Sequence, residues 1–105
     1  IAREFQFGGP SYAVSAEESG GGFHNYGATG VTVFSLPPGA PGLRYTFCRI
    51  ANQLVQVDPN GTETIRGGAA GKYLQLAANG DNVTLEWAST QWEIMASRGT
   101  PAFEA

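Results

Sequence analysis

The chain has 105 residues, 14% of them charged, a net charge of −3, one cysteine, one histidine and six scattered cationic residues. This excludes an intrachain disulfide, a Cys₄ or Cys₂His₂ zinc site, and the basic patch that a nucleic-acid partner requires. The length fits one domain with one modest core, no apolar run approaches the roughly 18 residues of a membrane span, and the low charge beside 42% apolar residues points to surface covered by other protein.

Helix signals are nearly absent. The longest helix candidate, 88–98, is β-rich at Trp92 and Ile94. Strand signals recur at close spacing. Residues 4–7 read as a short strand with Phe5 and Phe7 on one face, and 12–16 as a second. Gly20-Gly21-Gly22 reads as a flexible loop. The strand 31–36 stops at Pro37-Pro38 and is apolar on both faces, with Val31 and Val33 on one and Phe34 and Leu36 on the other. Either one face is core and the other a subunit contact, or the strand lies between two sheets.

The strand 43–50 is the clearest, with Leu43, Tyr45 and Phe47 alternating with Arg44, Thr46 and Cys48. A tight Ala51-Asn52-Gln53 connection predicts a hairpin into 54–58. Strands follow at 62–66, 72–76, 82–87 and 91–95. Asp58-Pro59-Asn60-Gly61 and Asn79-Gly80-Asp81 carry turn chemistry, and Ala88-Ser89-Thr90 joins two strands that each hold a tryptophan. Gly67-Gly68-Ala69-Ala70-Gly71 is a further loop. The pattern predicts an all-β fold: a compact antiparallel β-sandwich or partly closed barrel of about eight or nine short strands. Residues 1–10 form an extended N-terminal arm that docks elsewhere, and 11–105 form the β-domain.

Groups able to carry chemistry are sparse. His24 is the sole neutral-pH base, with Ser19, Glu17 and Glu18 near it in sequence alone. The acids Glu17, Glu18, Asp58, Glu63, Asp81, Glu86 and Glu93 sit at turns or on wet strand faces, a poor basis for a glycosidase pair. The 58–63 loop lacks calcium-loop spacing. Gly20-Gly21-Gly22 precedes neither Lys-Ser/Thr nor a helix, so it is no phosphate cradle. Cys48 reads as a buried, inert thiol. Tyr12, Tyr26, Trp87 and Trp92 offer rings for stacking a sugar, but Trp87 and Trp92 read better as core. No enzyme activity, cofactor or metal is expected.

Four blocks in order carry a resemblance. The first is Glu18-Ser19-Gly20, Phe23, Asn25 and Gly27-Ala28-Thr29-Gly30, then the strand ending Leu36-Pro37. The second is Gly42-Leu43 with Tyr45 and Phe47. The third is Val57-Asp58-Pro59-Asn60-Gly61-Thr62-Glu63-Thr64-Ile65. The fourth is Gly71-Lys72-Tyr73-Leu74, Val83-Thr84-Leu85, Trp92-Glu93-Ile94 and Gly99-Thr100. Together they resemble a small β-domain of tailed-bacteriophage virion surface proteins: head decoration (cement) proteins, tail fibres and tailspikes. The resemblance spans about 17–100.

It implies a trimeric, non-enzymatic structural part on the outside of a virion, with no catalytic residues to carry over. The short length favours a decoration protein that clamps the major capsid protein on the outer surface of the phage head, after synthesis in the bacterial host cytoplasm. The alternative is a tail-fibre or tailspike domain that binds a host receptor or glycan. Such a fragment also fits a chain that opens with Ile. No nucleic-acid or membrane partner is expected. Arg3, Phe5 and Phe7 are the candidate capsid contact, by strand addition. Val31 and Val33 are the candidate trimer contact. Two features depart from the pattern: 1–10 fall outside it, and Cys48 stands where a plain apolar residue is expected.

Overall fold

Period-two alternation is converted into two stacked sheets. The computed structural model describes residues 3–6 (main chain), 10–99 and 102–103. The first sheet runs β1 (Arg3–Gln6), β3 (Gly21–His24), β5 (Arg44–Cys48), β8 (Asn82–Ala88), β9 (Gln91–Arg98). The second runs β10 (Ala102–Phe103), β7 (Leu74–Leu76), β6 (Val55–Asp58), β4 (Thr32–Ser35), β2 (Ser11–Ala13). The only helical piece among the described residues is a single 3₁₀ turn, Ala16–Glu18. The all-β sandwich is as the sequence predicts, and the sheets do not close into a barrel.

The sheets are mixed rather than antiparallel. β1 pairs parallel with β3, β3 with β5, β2 with β4 and β4 with β6. Antiparallel pairing begins at β6–β7, β5–β8, β8–β9 and β7–β10. The cause is the path of the chain, which alternates between sheets through its first six strands. The hairpin predicted at Ala51-Asn52-Gln53 is therefore a crossing: β5 and β6 belong to different sheets.

Three more expectations change. Gly21 and Gly22 lie in β3, with Gly21 buried, so two of the three glycines are strand; only Gly20, at φ +90°, makes the turn. Residues 62–66 form a looped segment with one parallel bridge, Ile65 to Trp92. Finally, residues 3–6 of the expected arm are an edge strand of the chain's own sheet, in register from Arg3↔Gly21 to Gln6↔His24. Phe7 lies outside the described residues.

The core forms where the two inner faces meet. Phe23, Tyr45, Phe47, Val83, Leu85 and Trp92 of the first sheet pack with Phe34, Val55, Val57, Leu74 and Leu76 of the second. Phe23 is the hub, with ring centroids 5.6 Å from Phe34, 5.5 Å from Phe47 and 6.2 Å from Tyr45. Each such buried side chain contributes about 1.5–3 kcal/mol. On β5 the other face carries Arg44, Thr46 and Cys48, as the alternation predicts. On β4, Thr32 and Phe34 are buried and Leu36 just beyond it is too, so the strand is core on one side and outward on the other.

Candidate functional site

The outward side of β4 holds the predicted trimer contact. Val31 is 42% exposed and Val33 half-buried, on the side opposite Phe34. β2 and β6 flank the strand, and Pro10 O accepts the Val33 N–H at 3.0 Å. The strand is thus held between two neighbours while Val33 faces out, with Val31 just before it. Of the candidate capsid contacts, Arg3 and Phe5 stand on β1, the rim of the other sheet. The structure does not bring the two groups of residues into one site.

His24 ends β3 and is the register partner of Cys48. Together with Gly22, Phe23, Thr46 and Ile50 they line an open depression of about 240 Å³ on the outward face. His24 Nδ1 accepts the Tyr26 N–H at 3.3 Å, which places the ring proton of the neutral form on Nε2. Burial pushes the Cys48 thiol up; Arg98 opposes the rise and Asp81 adds to it. Such a thiol is a weak nucleophile near neutrality. Ser19 is engaged elsewhere: its Oγ donates to Gly42 O at 3.3 Å and accepts the Arg44 N–H at 2.9 Å.

Several of the carboxylates are committed to the fold. Glu18 accepts from the Tyr12 hydroxyl and the Ser15 N–H. The Glu18 hydrogen bond, together with burial and the carboxylate charge, raises the Tyr12 pKa. Glu63 accepts the Gly39 N–H at 2.9 Å. Glu86 pairs with Arg44 at 2.7 Å and Glu93 with Arg66 at 2.8 Å. The Arg66 hydrogen bond holds the Glu93 carboxyl below its ordinary range. Among the described residues no group of three or more His, Cys, Asp or Glu is placed to hold a metal. No helix there is long and apolar enough to cross a membrane.

The aromatic candidates separate. Trp92 is fully buried and meets Trp87 edge-on at 5.6 Å, its cross-strand partner. Tyr12 packs on Phe23, and Tyr26 is exposed. Sequence reasoning missed two buried polar residues, Asn25 and Arg49. Asn25 Oδ1 accepts the N–H groups of Ile50 and Ala51 at 2.8 Å, while its Nδ2 donates to Ala51 O and Gln53 O. The Arg49 guanidinium donates to Leu76 O and to the side-chain oxygens of Asn52 and Asn79. Both fix the crossing between sheets. The sequence sets Asn25 among the residues of the resemblance and Arg49 in the strand 43–50, but nothing local to either announces the distant groups that it binds.

No protein-family model and no curated protein matches the chain.

Proposed function

We propose that the protein is a non-enzymatic structural component of a tailed-phage virion, a trimeric decoration protein that clamps capsid subunits of the head. The observation that supports this best is the outward face at β4, where Val33 stands on a strand locked between two neighbours and exposed Val31 just precedes it. An apolar patch on a rigid strand is suited to a closed symmetric contact. The four-block resemblance supplies the virion setting. A clamp of this kind binds only the assembled lattice and stabilises it by mass action, as RT ln(1 + [L]/Kd) per site.

The proposed capsid contact is the N-terminal rim, with Arg3, Phe5 and Phe7. Among the described residues β1 is the outermost strand of its sheet, and no described strand pairs with its free side, which suits it to a capsid strand. Co-sedimentation of purified protein with undecorated heads tests the reading. The full chain should pellet with heads, and deletion of residues 1–9 should leave a folded protein that stays in solution. Val31→Asp with Val33→Asp should reduce the mass measured by light scattering from three chains to fewer. A full chain that ignores heads but adsorbs to host cells overturns the decoration reading in favour of a tail-fibre domain.

A further inference from the structure

The outer edge of β9 is half covered and half open. Trp92 points its N–H and C=O away from β8: the N–H donates to Thr64 O at 3.0 Å and the C=O accepts the Arg66 N–H at 2.8 Å. Its partner Trp87 likewise turns its N–H the other way, to Leu43 O at 3.0 Å. Trp87 and Trp92 are therefore a non-hydrogen-bonded pair. In an antiparallel ladder such pairs alternate with hydrogen-bonded ones. The next of this kind is Leu85↔Ile94. A bulge then adds Met95 to β9, and the following one is Val83↔Ser97. Ile94 and Ser97 thus aim their main-chain N–H and C=O groups outward.

Nothing among the described residues meets them. The covering segment turns away after Arg66: Gly67 has φ +94°, and the Gly68 N–H closes on Ile65 O. Exposure follows the same boundary. Trp92 is buried and Ile94 half-buried, Met95 is 52% exposed, and Ala96, Ser97 and Arg98 are exposed. An unprotected strand edge is a template for another strand.

We infer that this half-edge pairs with the same half-edge of a second copy, antiparallel, about a two-fold axis. The register follows from the outward groups. Ile94 lies opposite Ser97 of the second copy, and Ser97 opposite its Ile94. Met95 and Ala96, the residues between, then face Ala96 and Met95 of the other copy, so the bulges on the two strands coincide. This register sets Glu93 opposite Arg98 of the second copy, twice by symmetry. Glu93 and Arg98 share the outward face, since they pair across β8 with Glu86 and Asn82. The charges are complementary in this arrangement, and Glu93 is held ionised by Arg66. A two-fold contact is self-complementary in this way.

Pairing through β9 doubles whatever unit the protein otherwise forms, a monomer to a dimer or a trimer to a hexamer. The contact is independent of Val31 and Val33, so the two proposals fail separately. The test is sedimentation velocity of the full chain over a concentration series, with amide exchange read at Ile94. Mass should double with concentration, and the Ile94 amide should slow in step. Ser97→Pro removes an N–H that β8 does not use, which edge strands tolerate. It should keep the melting curve and weaken doubling about tenfold or more. Arg98→Glu opposes two carboxylates and should also weaken doubling, more at low salt than at high. The inference is overturned if mass never doubles, or if doubling survives both substitutions. A slowed Ile94 amide with doubling unaffected by Arg98→Glu overturns the register.

Discussion

The two ends of the sandwich are closed by different physics. At one end, where β3 and β5 finish, the crossing between sheets is tied by Asn25 and Arg49, both buried and hydrogen-bonded to main chain. At the other, where β8 turns into β9, the closure is aromatic. Trp92 is fully buried against Tyr45 and Trp87, and its Nε1 has no hydrogen-bond partner among the described residues. A buried donor left alone is costly, so at the indole packing area must offset that loss, beside the main-chain bonds of Trp92 to Thr64 and Arg66. The polar end gains directional bonds and tolerates little change in shape. The aromatic end gains area and accepts an unmet donor.

The largest break should come from emptying the aromatic end. Trp92→Ala should lower stability by about 3–5 kcal/mol in urea unfolding, out of the roughly 5–15 typical of a domain. Trp92→Phe removes the unmet Nε1 and keeps a ring, and should cost far less. Equal losses in the two variants would show that the indole is bonded after all. The polar end comes next. Asn25→Ala orphans the Ile50 and Ala51 N–H groups and should cost about 2–4 kcal/mol. A loss below about 1 kcal/mol would mean that solvent reaches the crossing.

Gly39 sharpens the contrast, because a Cβ there would run into the Trp87 ring, while the Gly39 N–H is bound by Glu63. Gly39→Ala should cost about 1–3 kcal/mol by displacing Trp87 and should quench or shift tryptophan fluorescence. The smallest effect is one of pH. Burial, with some help from the Glu18 charge, pushes the Tyr45 hydroxyl up to about 12. Its folded pKa exceeds the unfolded value of about 10, so the stability tied to this proton is complete below about pH 10. It is lost as pH rises towards 12. Melting temperature should therefore fall across that window, and Tyr45→Phe should make the fall shallower.

What could be read in advance was the alternation. Leu43, Tyr45 and Phe47 against Arg44, Thr46 and Cys48 announced both faces of β5, and Val83 and Leu85 announced that of β8. The Asn79-Gly80 turn also held, with Gly80 at φ +90°. Which strands pair was not legible, because pairing depends on contacts distant in sequence. Ala51-Asn52-Gln53 looks like a hairpin loop locally, and the crossing is tied by Asn25, far back in the chain, and by Arg49, which also binds Leu76 and Asn79 further on. Gly21 and Gly22 lack the side chains that mark a strand, and β3 is set by its neighbours β1 and β5. The alternation left open whether Val31 and Val33 face outward, but the two were visible as an apolar pair and a candidate contact. The open edge at Ile94 and Ser97 was not, since it follows from a bulge and from where the 64–66 segment stops.

The alternating path of the first six strands also constrains how the chain acquires its shape. No strand from β1 to β5 pairs with the one just before or after it, and the first such pairing is β6 with β7. A nascent chain therefore cannot zip this half together from neighbouring residues, and each parallel pairing waits for a loop through the opposite sheet to close. The tight hairpin Asn82–Ala88 to Gln91–Arg98 is where local closure is cheapest. The C-terminal third is thus the natural nucleus, and the protein should fold on the slow, millisecond-to-second scale of non-local β topologies, with its N-terminal strands last to settle.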